Sequence, residues 1–229
     1  MRRRFQLHLV TEPRQRSAEL HAAVAQAVAG GVDWVQLRDK AASALVIHTQ
    51  ASHLIEVVRA RGAQLAVNDR LDVALAVGAD GVHLAGQSLP VADAARLAAG
   101  RLLVGRSVHS LAEAEAAAAA GADYVTFGHV FPTTSHPGLP PHGLAELAQI
   151  VAAVEVPVLA IGGITADNLP DVLATGCAGI AVISSILAQA DPRQAAARLR
   201  AALDSSPHRP RLSLERKVPD AAHRQPTSV

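Results

Sequence analysis

Short apolar runs rich in valine, leucine and isoleucine recur along this chain, separated by alanine-rich stretches with helical spacing. The runs Phe5–Val10, Val32–Leu37, Gln64–Val67, Gly81–Leu84, Leu102–Gly105, Tyr124–Phe127, Val158–Ile161 and Gly179–Val182 have the length and branching of buried strands. Between and after them, residues 17–29, 43–61, 71–77, 91–98, 110–120, 144–153, 166–175 and 192–203 read as helices. Ser110 with Glu113 forms a capping-box pattern, and Asp191-Pro192 places proline at a first helical position. Thr165 precedes a helix with Pro170 near it, and several helices run into glycine: Gly30, Gly62, Gly78, Gly100, Gly121 and Gly176. A strand followed by a helix, repeated throughout, requires parallel strands with crossover helices. The segments AVGADGVHL, AAGADYVTF and ATGCAGIAV repeat one helix-to-strand junction and support that alternation. The predicted fold is α/β, a single-domain (β/α)8 TIM barrel over residues 1–204, at the small end of that architecture. A doubly wound open sheet is the rival, but it uses fewer strands and no GxGxxG follows the first strand.

Composition sharpens this picture. Half of the 229 residues are hydrophobic and only 2% are aromatic, so the core is aliphatic and the chain is not disordered. A single cysteine, Cys177, excludes a disulfide framework. No apolar run is long enough to cross a bilayer. The basic start, Met1-Arg2-Arg3-Arg4, is followed by FQLHLVTEPRQR, which lacks the apolar core of a signal peptide. The expected location is the cytoplasm, with no membrane partner. A net charge of +1 argues against nucleic acid as a partner. Residues 205–229 hold four of the thirteen prolines and a local excess of basic residues, and read as a flexible basic tail.

In a barrel, chemistry sits at the carboxyl ends of the strands and in the loops that follow. There the second strand offers Gln36 and Arg38 on one face, with Asp39 and Lys40 beyond. A buried arginine requires an anion, either an internal partner such as Asp69 or a ligand. The third strand offers Asn68 and Asp69, the fourth His83, and the fifth Arg106, Ser107 and His109. The sixth is followed by the longest irregular stretch, carrying His129 and His136, a length that suits a lid or binding loop. A histidine there can move protons near neutral pH. Gly162-Gly163 after the seventh strand and Ile183-Ser184 after the eighth suit the phosphate-binding corner of such barrels. The residues thus point to a small phosphate-bearing molecule, with no obvious metal cage and no nucleophile–base pair.

The stretches QLRDK (36–40), VNDRLDVALAVGADGVHL (67–84), GRSVHS (105–110), AIGGIT (160–165) and GIAVISSI (179–186) resemble the thiamine phosphate synthase superfamily over roughly residues 5–203. The resemblance implies one of two activities. Thiamine phosphate synthases join hydroxymethylpyrimidine diphosphate to thiazole phosphate using Mg²⁺. Thiazole tautomerases aromatise a carboxylated thiazole phosphate by moving protons, with no metal or cofactor. Asp69 matches the first magnesium-binding aspartate of the synthases. HLAGQSLP places Ser88 or Leu89 where the second is expected, and PTTSH places His136 where the synthases carry a lysine. FGHVF (127–131) resembles the tautomerases, whose proton-transfer histidine maps onto His129. On this resemblance the expected function is thiazole tautomerase, with the synthase as the alternative. His129 would be catalytic; Gly162, Gly163, Ile183 and Ser184 would bind phosphate. Gln36, Arg38, Asn68, Asp69 and Arg106 would contact the thiazole phosphate carboxylate. A homo-oligomer is compatible with this reading, since barrels of this kind often associate.

Overall fold

The computed structural model describes residues 4–12, 17–135 and 137–214. Eight parallel strands close into a barrel in sequence order, each neighbour pairing with the next and β8 with β1. They are β1 (Gln6–Val10), β2 (Trp34–Leu37), β3 (Gln64–Asn68), β4 (Gly81–Leu84), β5 (Leu103–Val108), β6 (Tyr124–Gly128), β7 (Val158–Ile161) and β8 (Gly179–Val182). The helices are α1 (Ser17–Ala29), α2 (Ala44–Arg59), α3 (Leu71–Ala76), α4 (Val91–Ala98), α5 (Leu111–Ala119), α6 (Gly143–Ala153), α7 (Leu169–Ala174), α8 (Ser184–Leu187) and α9 (Pro192–Ser205). The predicted single-domain (β/α)8 architecture is therefore the observed one.

Alternation along each strand divides the core in two. Leu7, Leu9, Val35, Leu37, Leu65 and Val67 point outward and pack under the helices in one continuous aliphatic layer. The opposite positions fill the barrel. At its amino-terminal end Trp34, Ala66, Leu103, Tyr124, Leu159 and Ala178 form a plug, with Leu214 packed against it. Above the plug the interior becomes polar, with His8, Gln36, Asn68, His83 and Thr126 all buried.

Local chemistry explains the helix starts. Ser43, Ser110 and Asp191 cap α2, α5 and α9 by accepting from Val46, Glu113 and Gln194 N–H groups. Three departures from the sequence expectation bear on the site. β5 continues past Gly105 to Val108, which places Arg106 and Ser107 on the strand itself. α7 begins at Leu169 rather than 166, because the Asn168 side chain closes a turn, accepting from Thr165 N–H at 2.9 Å and donating to the Gly163 carbonyl at 2.9 Å. α8 was not anticipated, since four residues carry no helical period.

Of the segment expected as a tail, residues 205–214 are described. Ser205 ends α9, the Arg211 N–H bonds to the Gly176 carbonyl at 2.8 Å, and Leu214 seals the barrel floor. Residues 215–229 lie outside the described residues.

Candidate functional site

The carboxyl ends of the strands open into a cavity of about 370 Å³. Its lining includes Gln36, Arg38, His83, His129, Gly162, Gly163, Ile183 and Ser184, all expected from the sequence, together with Lys40, Ser107 and His109. Asn68, Asp69 and Arg106 stand behind this lining as supports. Gln36 Nε2 donates to Asn68 Oδ1 at 2.8 Å, and Asn68 Nδ2 donates to Asp69 Oδ2 at 2.6 Å. Arg106 donates to the Ala85 carbonyl at 2.6 Å. These three residues orient the wall and leave Arg38 and Lys40 to face the cavity.

Arg38 is held by its backbone: its N–H donates to Thr11 Oγ1 at 2.9 Å, and that hydroxyl donates back to the Arg38 carbonyl at 3.3 Å. Asp69 spends its carboxylate elsewhere. Oδ1 accepts from the Ala85 N–H at 2.9 Å and from the Ser88 hydroxyl, while Oδ2 takes the Asn68 amide. Among the described residues, no hydrogen bond or ion pair joins Asp69 to Arg38, so the internal pair considered from the sequence is not formed. Asp69 has a left-handed backbone with φ 61°, uncommon outside glycine, asparagine and aspartate. That turn aims the carboxylate back across the β4 loop.

On the far side, Gly162 and Gly163 adopt φ of 101° and 65°. The glycines are also demanded by packing. A Cβ on Gly162 would lie 2.3 Å from the His129 Cβ, and one on Gly163 would lie 2.5 Å from the Pro132 carbonyl oxygen. The His129 loop is zipped against them: the Val130 N–H bonds to the Ile161 carbonyl at 2.9 Å and the Phe131 N–H to the Gly162 carbonyl at 3.1 Å. The Ser185 hydroxyl donates to the Ile164 carbonyl at 2.5 Å, tying the β8 loop to the β7 loop. His129 is buried, and its Nε2 donates to the Leu139 carbonyl at 3.3 Å. Its ring meets His142 edge-on at 5.9 Å, and His142 in turn stacks on His109 at 6.1 Å. His136 lies outside the described residues.

Two histidines sit wholly inside the barrel. His8 stacks on Trp34 at 5.6 Å, and burial, reinforced by nearby His83, pulls its pKa down to about 3. His83 bonds through Nδ1 to the Tyr124 hydroxyl at 3.2 Å and through Nε2 to Ser107 Oγ at 2.9 Å. Burial lowers its pKa to about 4; Asp69 opposes this, while Arg106 and Arg38 add to it. Both imidazoles are therefore neutral at physiological pH. Ser107 was named at the end of the fifth strand but given no contact, because β5 was read as ending at Gly105 and the inward direction of Ser107 was not drawn. The signal was present, since Gly105 and Ser107 share the inward face of an alternating strand.

A polar, cation-bearing cavity at the carboxyl face of a closed parallel barrel lies where (β/α)8 enzymes carry their active sites. Comparison with known proteins narrows the class. The family model described as "Thiamine monophosphate synthase" matches residues 7–186, and the chain belongs to that family. A putative thiamine-phosphate synthase of Geobacter sulfurreducens is 44% identical over 201 residues, covering 87% of this chain and 94% of the relative. A thiamine-phosphate synthase of Methanoculleus marisnigri is 46% identical over 198 residues, covering 86% and 94%. The structure of a thiamine phosphate pyrophosphorylase from Pyrococcus furiosus superposes with a TM-score of 0.81 at 39% identity, covering 88% of this chain and 96% of that one.

These relatives overturn the expectation of a thiazole tautomerase. That expectation rested on the missing second carboxylate at Ser88 and on the histidines of FGHVF and PTTSH. Physically it overweighted the carboxylate count, because Mg²⁺ at a phosphate site is commonly held by one or two carboxylates together with the ligand's own phosphates. Asp69 remains, and so do the cations Arg38 and Lys40. Among the described residues, no helix is long and apolar enough to cross a membrane.

Proposed function

We propose that this protein is a thiamine phosphate synthase, joining hydroxymethylpyrimidine diphosphate to thiazole phosphate and releasing diphosphate. The observation that carries the reading is that one cavity is lined by a glycine-rich corner and, apart from it, by two cations, each suited to a phosphorylated group. The Gly162-Gly163 and Ile183-Ser184 loops form one, and Arg38 with Lys40 forms the other. A coupling enzyme has a diphosphate to neutralise as well as a phosphate, which suits two neighbouring cations, whereas a tautomerase substrate brings only a single carboxylate to that corner. Identity of 44–46% to proteins named thiamine-phosphate synthase over most of both chains supports the same conclusion.

On this reading the thiazole phosphate rests on the glycine loop, where backbone approaches an anion unhindered by a Cβ. Ser184 adds a hydroxyl. The diphosphate lies against Arg38 and Lys40, which stabilise the negative charge that grows as the carbon–oxygen bond breaks. The thiazole nitrogen supplies the electron pair for the new carbon–nitrogen bond, and diphosphate leaves with the electrons of the old one. Gln36, fixed by Asn68, supplies an amide to a heterocycle. His129 forms the wall between the two loops and gives the thiazole an apolar edge to lie on.

The reaction class implies Mg²⁺. No cluster of three or more histidine, cysteine, aspartate or glutamate side chains suited to a metal occurs among the described residues. Asp69 stands behind the lining with one acceptor position left on Oδ2 and the Ser88 hydroxyl beside Oδ1, so it would serve as a single protein ligand to an ion held chiefly by the diphosphate itself. When bound, the ion neutralises charge on the departing diphosphate.

The test mixes purified protein, both substrates and Mg²⁺, and measures thiamine phosphate and released diphosphate. Equal amounts of the two products are expected. Absence of coupling at saturating substrate and Mg²⁺ overturns the assignment.

A further inference from the structure

The interior of the barrel holds a chain of hydrogen bonds whose direction the surroundings determine. Tyr124 rises from the floor of the barrel, entirely buried, and its hydroxyl meets His83 Nδ1 at 3.2 Å. His83 Nε2 meets Ser107 Oγ at 2.9 Å. Both His83 and Ser107 line the cavity. A neutral imidazole carries one N–H donor and one bare nitrogen acceptor, so it cannot donate in both directions or accept from both.

The Tyr124 end decides which way the chain runs. Among the described residues, His83 Nδ1 is the one acceptor bonded to the Tyr124 hydroxyl. If Nδ1 carried the proton, the phenol would receive it and its own O–H would be left buried without an acceptor. Such an orphaned buried donor is costly. The satisfied arrangement has the Tyr124 O–H donating to Nδ1, and the Nε2–H donating to Ser107 Oγ. The Ser107 hydroxyl, already an acceptor from below, then turns its own proton toward the cavity. Room for this column is reserved at Gly105, where a Cβ would lie 2.2 Å from Tyr124 Cζ and 2.5 Å from its hydroxyl oxygen. Glycine inside a buried strand is otherwise a poor choice, and close approach by another group is the usual reason for one.

We infer that Tyr124 and His83 are positioning residues that fix the Ser107 hydroxyl as a hydrogen-bond donor into the cavity. The ligand placed there presents a ring-nitrogen lone pair to Ser107, not an N–H. The ligand half of this inference rests on the proposed function, because it takes the pyrimidine as occupant. The tautomer of His83 does not. The device also gives selectivity. A heterocycle with C–H or N–H at that point leaves the Ser107 donor facing no acceptor.

Two measurements test this on the full chain. The first is nitrogen-15 NMR of imidazole-labelled protein near neutral pH, with the His83 signals identified by their loss in His83→Gln. The Nε2–H tautomer is expected, and the Nδ1–H tautomer or an imidazolium overturns the inference. The second is calorimetric binding of hydroxymethylpyrimidine diphosphate and of the two analogues in which one ring nitrogen is replaced by C–H. One analogue is expected to bind roughly 3- to 10-fold more weakly, the worth of one neutral hydrogen bond. That discrimination should shrink in Tyr124→Phe, with the melting temperature recorded beside it. Equal affinity for all three compounds, or discrimination unchanged in Tyr124→Phe, overturns the ligand half. Thiamine phosphate formation by the same preparation separates the two readings. A protein that couples nothing while His83 is the Nε2–H tautomer removes the proposed function and keeps the column. The opposite pair of results does the reverse. If Tyr124→Phe does not fold, the wild-type tautomer and the analogue series still decide.

Discussion

Replacing Gly162 by alanine tests how the two loops of the cavity depend on one another. The backbone at this position has φ 101°, a conformation that costs an L-residue about 1–2 kcal/mol. The added methyl carbon would also sit 2.3 Å from His129 Cβ and 2.6 Å from its Cα. Neither neighbour is the free end of a flexible side chain, so the 128–131 segment must move away from β7. Doing so stretches the Val130 N–H bond to Ile161 and the Phe131 N–H bond to Gly162, now 2.9 and 3.1 Å. Each is worth about 1 kcal/mol. Strain and lost bonds together give a destabilisation of about 2–4 kcal/mol, or roughly 5–15 °C in melting temperature for a domain of this size. Thermal unfolding followed by circular dichroism reads the first effect. The second is a rise in KM for thiazole phosphate exceeding the rise for the pyrimidine diphosphate, since only the glycine corner is displaced. A melting temperature within a degree of the parent, or equal effects on both substrates, would refute the reasoning.

Two further outcomes follow from the same geometry. Ser88→Asp places a second carboxylate against Asp69; repulsion between half-exposed charges about 4 Å apart should cost roughly 1–3 kcal/mol without metal. Added Mg²⁺ should raise the variant's melting temperature more than the parent's and lower the Mg²⁺ concentration needed for half-maximal coupling; indifference to Mg²⁺ speaks against Asp69 as its protein ligand. Acid stability is set partly by His8 and His83, buried and neutral with pKa values depressed to about 3 and about 4. Their unfolded forms bind protons below about pH 6.5, so their stabilisation is complete above that pH and is lost as pH falls toward the folded values, by up to about 1.4 kcal/mol per pH unit for each. His8→Leu should therefore flatten the dependence of unfolding free energy on pH between about 6 and 4, and an unchanged slope in urea titrations would contradict it.

The architecture was legible because each strand and helix carries its own period. Seven of the eight strands appeared within about two residues of their expected ends, since buried parallel strands are short unbroken apolar runs, and β5 ran three residues further. α8 was not legible, because Ser184–Leu187 is a single turn whose existence depends on the Ile183 backbone and on the packing of Ile186. The expected site residues are brought together, but sequence could not separate those that face the cavity from those that brace it. Asn68, Asp69 and Arg106 look like contacts along the chain, yet their bonds run to Gln36, Ala85 and Ser88. Ser88 misled in the opposite sense. As a letter it is a lost carboxylate; in space its hydroxyl holds the surviving one in place. The Tyr124–His83–Ser107 column is invisible in one dimension, because its members lie on three different strands and meet only when the barrel closes.

Among the described residues, Trp34, Leu103, Tyr124, Leu159 and Leu214 stopper the lower end of the chamber and leave its carboxyl face as the way in. Two guests seated one above the other in such a chamber would pass in sequence, the outer one detaining the inner. On the proposed function, initial-rate kinetics of ordered addition are the expected outcome, with the last product to leave competing against the first substrate for the same seat.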